Sequence, residues 1–173
     1  MSIVTVVGNP RAGSRTYEVA VQATQTLAAR IGHEGPSEVV DLAALAPVLL
    51  APEPSSEVAA ALELVTQASV LVVASPTYKG TYTGLLKVFL DRIRGGALAS
   101  TVALPLLVMG DARHALAVEV HFRPLLVELG ATVPTPGLAV LEAELGDLET
   151  VLGHWADRVG PQVAAALREG ASA

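Results

Sequence analysis

Short apolar runs rich in β-branched residues alternate along the chain with longer segments in which apolar positions recur every three or four residues. A continuous apolar run is typical of a strand that is buried on both faces of a parallel sheet. The predicted strands are residues 3–7, 38–42, 70–74, 102–109 and 133–141. Pro105 stands out in the fourth strand, because a central strand cannot easily lose a hydrogen-bond donor.

The segments between the strands have the spacing of amphipathic helices, and several end at a glycine. The predicted helices are residues 16–30, 56–67, 85–93, 115–129 and 145–168. Prolines at positions 47, 52 and 54 indicate that the segment 43–56 is mostly loop.

Regular alternation of strands and helices predicts an α/β fold in which a parallel sheet is covered on both faces. Five strands favour a flavodoxin-like three-layer sandwich with strand order 2-1-3-4-5, and we expect one domain over residues 1–173. Ligands in such folds bind beyond the carboxyl ends of the strands, near the point where the strand order reverses. The segments 8–16, 75–83 and 110–114 are therefore the candidate binding loops.

The composition narrows the classes of partner. Hydrophobic residues make up 51% of the chain and charged residues only 16%, which predicts a homodimer or homotetramer unless alanine and valine simply enlarge the core. The formal net charge is -6 and no run of lysine or arginine is present, so nucleic acid is not an expected partner.

The absence of cysteine excludes disulfides, thiolate catalysis and cysteine-ligated metals. No histidine has metal-ligand spacing with another ligand, so we expect no metal. The start of the chain has no basic leader. The longest apolar stretch, 97–109, is shorter than the roughly 20 residues that cross a bilayer. We therefore expect a soluble, cytoplasmic protein with no membrane partner.

The loop 8–16 leads from the first predicted strand into the first helix, where unpaired backbone N–H groups favour a phosphate. Ser14 and Thr16 add hydroxyl donors, while Arg11 and Arg15 add positive charge. The loop matches neither the G-x-G-x-x-G fingerprint nor the P-loop motif, which disfavours a dinucleotide fold and a P-loop NTPase. An ordinary turn with a helix cap is the alternative interpretation.

The loop 75–84 contains two of the three tyrosines in the chain, Tyr78 and Tyr82. Backbone amides beyond a strand can hydrogen-bond the edge of a planar heterocycle while an aromatic ring packs beside it. The alternative is that the two tyrosines belong to an oligomer interface.

Together the two loops resemble the NAD(P)H-dependent FMN reductase family, over about residues 3 to 130. The likeness is greatest to the branch that supplies reduced flavin to two-component monooxygenases, including those that desulfonate alkanesulfonates. The residues that carry it are Gly8-Asn9-Pro10-Arg11 with Ser14-Arg15, and Ser75-Pro76-Thr77-Tyr78-Lys79-Gly80-Thr81-Tyr82-Thr83-Gly84-Leu85-Leu86-Lys87 with Leu90-Asp91.

This resemblance implies an FMN site built by all three loops. The residues that would hold the phosphate are Arg11, Ser14, Arg15 and Thr16, and Asn9 in the same loop is a further cofactor-binding residue that offers a side-chain donor. Those that would line the flavin ring, mostly through backbone, are Pro76, Thr77, Tyr78 and Lys79, with Gly110 and Asp111 on the third side. The resemblance also implies that the helix containing Lys87 and Leu90 contributes to a subunit interface.

The implied activity is hydride transfer from NADPH or NADH to FMN, which supplies FMNH2 to a monooxygenase. The cofactor carries this chemistry and proximity promotes it, so we expect no catalytic side chain. The alternatives are a reductase of quinone or azo type that retains FMN, and a flavodoxin-like electron carrier.

The chain also departs from the family pattern. Asn9 stands where the family usually has serine, and residues 110–113 replace a Gly-Gly-Thr-like loop. A carboxylate at Asp111 would disfavour an anionic reduced flavin beside it. Some sulfonate-linked relatives carry an inserted aromatic residue in the next helix, and no tyrosine appears in the corresponding stretch 118–123.

Overall fold

The computed structural model describes residues 1–170 and confirms the predicted sheet. Five parallel strands lie in the order β2-β1-β3-β4-β5. Their bounds are β1 Ile3–Val7, β2 Ser37–Asp41, β3 Val70–Pro76, β4 Val102–Met109 and β5 Leu138–Leu141. At the carboxyl end of the sheet, Val7 of β1 pairs with Ala74 of β3 and with Asp41 of β2.

Within residues 1–170, six α-helices accompany the strands, and they form two layers around the sheet. They are α1 Arg15–Arg30, α2 Leu42–Leu45, α3 Ser56–Thr66, α4 Gly84–Leu90, α5 Arg123–Glu128 and α6 Leu148–Gly170. Helices α1 and α6 pack on one face of the sheet, while α3, α4 and α5 pack on the other, so each face has its own apolar core. No helix within residues 1–170 is both long enough and apolar enough to cross a membrane.

Two prolines lie within central strands, at positions where a neighbouring strand is missing. Ala103 donates its N–H to Thr132 on the β5 side, so alternation turns the nitrogen of Pro105 to the same side. On that side, β5 begins to pair with β4 only at the residue after Pro105, where Leu106 pairs with Leu138. Pro76 likewise faces the β1 side, beyond the last β1–β3 pair at Ala74. Neither proline therefore removes a ladder hydrogen bond, and β3 continues two residues past its predicted end.

The prediction of a strand over 133–141 was wrong in its first half. Thr132 makes an isolated bridge to Val102, and the chain then leaves the sheet until Leu138. Pro134 and Pro136 have no N–H to donate to a ladder. The detour is instead tied to Arg123, whose guanidinium donates to the carbonyl oxygens of residues 133 and 135.

The predicted continuous helix over 115–129 was also wrong. The chain forms a 3-10 turn over Ala112–His114 and a π-helical turn over Val118–Phe122 before α5 begins. Pro124 in the first turn of α5 cannot donate, and in a regular helix its ring would press on the carbonyl of Val120. The wider turn, in which Arg123 N–H bonds to the oxygen of Val118, removes that conflict.

The remaining predicted bounds differ less. The predicted loop 43–56 is mostly turns, but it begins within the short helix α2, which the carboxylate of Asp41 caps by accepting from Ala43 N–H at 3.0 Å. The helix predicted over 85–93 ends at Leu90, and α6 starts after a 3-10 segment, Glu142–Asp147.

Candidate functional site

A pocket of about 550 Å³ lies at the carboxyl edge of the sheet, where the sequence placed the binding loops. Such a volume is in the usual range for a cofactor-sized ligand. The residues that line it are Asn9, Arg11, Ala12, Gly13, Ser14, Arg15, Thr16, Pro76, Tyr78, Val108 and Glu142. The pocket thus joins the first loop to the ends of β3, β4 and β5.

The first loop gives the pocket a positively charged wall. Ser14 is the N-cap of α1, and its hydroxyl accepts from Tyr17 N–H at 3.2 Å. Gly13 has a left-handed φ of 59°, which lets the chain turn sharply into the helix. The partial positive charge of the helix N-terminus therefore coincides with the exposed arginines Arg11 and Arg15.

Asn9 shapes this loop from within. Its side-chain oxygen accepts from Arg11 N–H at 2.9 Å, and its amide nitrogen donates to the Thr16 hydroxyl at 3.1 Å. Asn9 is only 7% exposed, so both of these bonds are shielded from water. Because the Thr16 oxygen accepts from Asn9, the Thr16 O–H proton remains available as a donor to the pocket.

The second loop forms a tight turn that presents an aromatic ring. Tyr78 N–H donates to the Thr81 carbonyl at 2.9 Å, and the two residues between them, Lys79 and Gly80, have φ values of 55° and 89°. Two consecutive positive φ values are typical of a type I′ turn. For Lys79 this conformation is unfavourable, and the pairing of Tyr78 with Thr81 that closes the turn holds it there. Tyr78 remains 44% exposed beside the pocket.

Some backbone N–H groups at this turn are hydrogen-bonded within the protein, and others are free to bind a ligand. Thr77 donates both its N–H and its hydroxyl to the carbonyl of Val108, at 2.9 and 3.0 Å. Within residues 1–170, the N–H groups of Lys79 and Gly80 make no hydrogen bond that satisfies normal geometry. The free donors are therefore at the tip of the turn rather than at Thr77 and Tyr78.

The side chain of Tyr82 packs against the core of the protein and does not line the pocket. Its ring packs against Phe122 with a centroid separation of 5.4 Å, on the core side of α4 and α5. The sequence offered two interpretations of Tyr78 and Tyr82, as parts of a ligand site or of an oligomer interface. For Tyr82, the structure instead shows a contact within the chain.

The charge of Asp111 in the third loop is compensated locally. Its carboxylate accepts from Arg113 N–H at 2.9 Å and from the Arg113 guanidinium at 2.9 and 2.6 Å. These bonds lower the pKa of Asp111 to about 2. Any ligand at this loop therefore faces an ion pair rather than an isolated negative charge.

Seven of the eleven residues predicted for the site line the pocket: Asn9, Arg11, Ser14, Arg15, Thr16, Pro76 and Tyr78. Thr77, Lys79, Gly110 and Asp111 are not among its lining residues. Sequence reasoning did not single out Glu142, which follows β5 directly and pairs with Arg15 at 2.8 Å. Its position after a strand was the available signal, because the carboxyl ends of all parallel strands share one edge.

A buried hydroxyl locks the first two loops together. Thr83 Oγ1 donates to the Gly8 carbonyl at 2.5 Å and caps α4 by accepting from Leu86 N–H at 3.1 Å. Thr83 N–H donates to the Ser75 hydroxyl at 3.0 Å. A Cβ on Gly8 would lie 2.6 Å from Leu86 Cβ, so only glycine permits this close approach of β1 and α4.

The family model that matches and the relatives identified by sequence agree on one family. Residues 1–144 match the family model described as NADPH-dependent FMN reductase. An FMN reductase (NADPH) of Pseudomonas aeruginosa is 34% identical over 155 residues, which cover 86% of this chain and 81% of the relative. The NADH-dependent FMN reductase SfnF of Pseudomonas fluorescens is 33% identical with the same coverage. A crystal structure of the NADH:FMN oxidoreductase EMOB superimposes with a TM-score of 0.77 at 29% identity, over 91% of this chain and 89% of that one.

Thr83→Val tests the lock between the loops. It removes both hydroxyl bonds at nearly constant volume and leaves the Gly8 carbonyl and the Leu86 N–H unpaired, so we expect a loss of about 1–3 kcal/mol in the free energy of unfolding. Urea denaturation measures this loss. Thr83→Ser, which keeps the hydroxyl, serves as the matched control, and equal stability of the two variants would contradict the assignment.

Arg113→Gln tests the ion pair in the third loop. Without the guanidinium, we expect the pKa of Asp111 to rise from about 2 towards its ordinary value of about 3.9. Because folding lowers this pKa, the pair stabilises the native state above the unfolded-state pKa, and the contribution fades as the pH falls from about 4 towards 2. A carboxyl NMR titration measures the change, with Arg94→Gln as a control of equal charge. A wild-type Asp111 that titrates near 4 would refute it.

Proposed function

The chain belongs to the NADPH-dependent FMN reductase family, and from this premise we propose that its pocket binds FMN for reduction by NAD(P)H. The activity is that of an NAD(P)H:flavin oxidoreductase. The observation that carries the proposal is the pairing of an arginine-flanked helix N-terminus with an exposed tyrosine ring in one pocket of about 550 Å³. FMN has a phosphate at one end and a planar ring at the other.

The phosphate end fits the first loop. Backbone N–H groups at the start of α1 and the hydroxyls of Ser14 and Thr16 are hydrogen-bond donors that a phosphate can use. Arg11 and Arg15 add positive charge, and the fixed fork of an arginine suits phosphate oxygens. We assign the phosphate to these four residues, with Asn9 holding the loop in shape.

The ring end fits the second loop. Tyr78 offers an aromatic surface, and Pro76 and Val108 add apolar contacts. We assign the hydrogen bonds with the ring edge to the free N–H groups of Lys79 and Gly80, which follow Tyr78 directly and lie outside the pocket lining itself, while Thr77 holds the turn to β4. Gly110 and Asp111 remain assigned to the third side, on the strength of the family resemblance.

Bound FMN supplies the hydride acceptor, so this chain's residues need only bind and orient it. The buried bonds of Thr83 and Asn9 fix the loops that hold the two ends of the ligand. Such positioning is a large catalytic factor for a transfer between two bound partners. We therefore assign no side chain as a general acid or base.

We further propose that the chain is a single domain over residues 1–173, that it works in the cytoplasm, and that it supplies reduced FMN to a two-component monooxygenase of the alkanesulfonate type. The motif resemblance supports this partnership. So does the exposure of Arg11 and Arg15, which leaves the phosphate end of the pocket open to exchange.

A homodimer or homotetramer is part of the proposal. Leu116, Val120 and Val127 are 71%, 58% and 54% exposed, and all three lie in the segment 115–128, which includes the π-helical turn and α5. Large apolar side chains that are exposed within one short segment favour a second copy of the chain as their partner. We expect sedimentation to show an oligomer that Val120→Glu weakens, whereas a wild-type monomer at micromolar concentration would refute it.

The proposed reaction is tested with purified, flavin-stripped protein. We expect NADPH or NADH oxidation only when FMN is added, with saturation at micromolar FMN and a KM for riboflavin roughly tenfold higher, because riboflavin lacks the charged phosphate. Arg11→Gln should reduce the ratio of the riboflavin KM to the FMN KM, because it removes a positive charge assigned to the phosphate. FMN binding without NAD(P)H oxidation would instead favour an electron carrier, and flavin that stays bound through turnover would favour a reductase that retains FMN.

A further inference from the structure

Glu142 is the one acidic side chain among the described residues that line the pocket. It follows β5 directly and reaches across the carboxyl edge of the sheet to the first turn of α1. There its Oε2 accepts a hydrogen bond from Arg15 Nη1 at 2.8 Å. The same guanidinium is assigned above to the flavin phosphate, so the two anions share one partner.

The backbone holds Glu142 at this position. Leu141 N–H donates to the Glu144 carboxylate at 2.7 Å, which closes the 3-10 segment Glu142–Asp147 onto the end of β5. Leu145 in that segment packs against the core between the sheet and α6. The carboxylate is therefore presented to the pocket by the fold itself.

The ion pair contributes little to the stability of the chain. The Arg15 and Glu142 side chains are 61% and 40% exposed, and exposed pairs of this kind are weak because water and salt screen them. A role in holding the fold is thus a poor explanation for a carboxylate in a pocket built for an anion.

We propose that Glu142 competes with the flavin phosphate for Arg15 and thereby keeps FMN exchangeable. This inference rests on the proposed function. A phosphate carries a charge of about -1.5 to -2 at neutral pH, so it is repelled by the carboxylate while it is attracted by the arginine. Binding FMN then requires Arg15 to be shared between the two anions or released by Glu142.

The opposite role is physically distinct. If Glu142 served to orient Arg15 towards the phosphate, its removal would weaken FMN binding, because the flexible arginine would lose its fixed position. Competition predicts tighter binding on the same substitution. The sign of the change in affinity therefore separates the two roles.

Glu142→Gln removes the charge at nearly constant shape. We expect the Kd of FMN, measured by flavin fluorescence quenching, to fall roughly fivefold to tenfold, the scale of one screened charge interaction near a protein surface. Riboflavin, which has no phosphate, should bind equally to both proteins. Glu149→Gln, an exposed position in α6 that makes the same change in net charge, is the matched control and should leave both affinities unchanged.

A double-mutant cycle with Arg15→Gln identifies the route of the effect. If Glu142 acts through Arg15, adding Glu142→Gln to Arg15→Gln should change the Kd of FMN less than it does in the wild-type background. Unchanged or weaker FMN binding by Glu142→Gln would overturn the inference. An equal gain for riboflavin would overturn it as well, since the effect would not involve the phosphate. Failure of wild-type protein to bind FMN at all would instead refute the proposed function.

Discussion

The hydroxyl of Thr83 holds the two halves of the pocket in register. It donates to the carbonyl of Gly8, the first residue of the first loop, and caps the helix that follows the second loop. Ser75 accepts from the Thr83 backbone, and Gly8 leaves space for α4 to approach β1. Because these groups are buried, each bond is shielded from water and the loops that they join cannot shift independently. The positions of the arginines relative to Tyr78 follow from this network.

Charge is distributed unevenly over a chain whose formal net charge is -6. At the pocket, Arg11 and Arg15 add to the positive end of α1, whereas Arg113 neutralises Asp111 at the neighbouring loop. Glu142 is the exception, since it places negative charge against the cationic wall. The site therefore attracts an anion without holding it as strongly as its cationic groups alone would.

Strand order and site location could be predicted because they depend on regularities that a single sequence displays. Buried parallel strands are continuously apolar, and their carboxyl ends share one edge. The detour over residues 133–137 was missed although Pro134, Pro136 and Gly137 are strand-breaking signals, and its anchoring by the distant Arg123 is not visible in the sequence. The π-helical turn relieves the clash that the ring of Pro124 would make with the carbonyl of Val120 in a regular helix. The location of Glu142 at this edge could have been inferred from its place directly after β5, whereas no local pattern encodes its ion pair with Arg15 across the pocket.

The detour before β5 also affects how the sheet meets other chains. It leaves β5 with four residues on one open edge, and the other edge strand, β2, contains Glu38 and Asp41. Exposed strand edges can template the addition of further strands, and short or charged edges resist this. The same prolines that break the predicted strand thus shorten the exposed edge of an unusually apolar protein, which disfavours edge-to-edge pairing through its sheet.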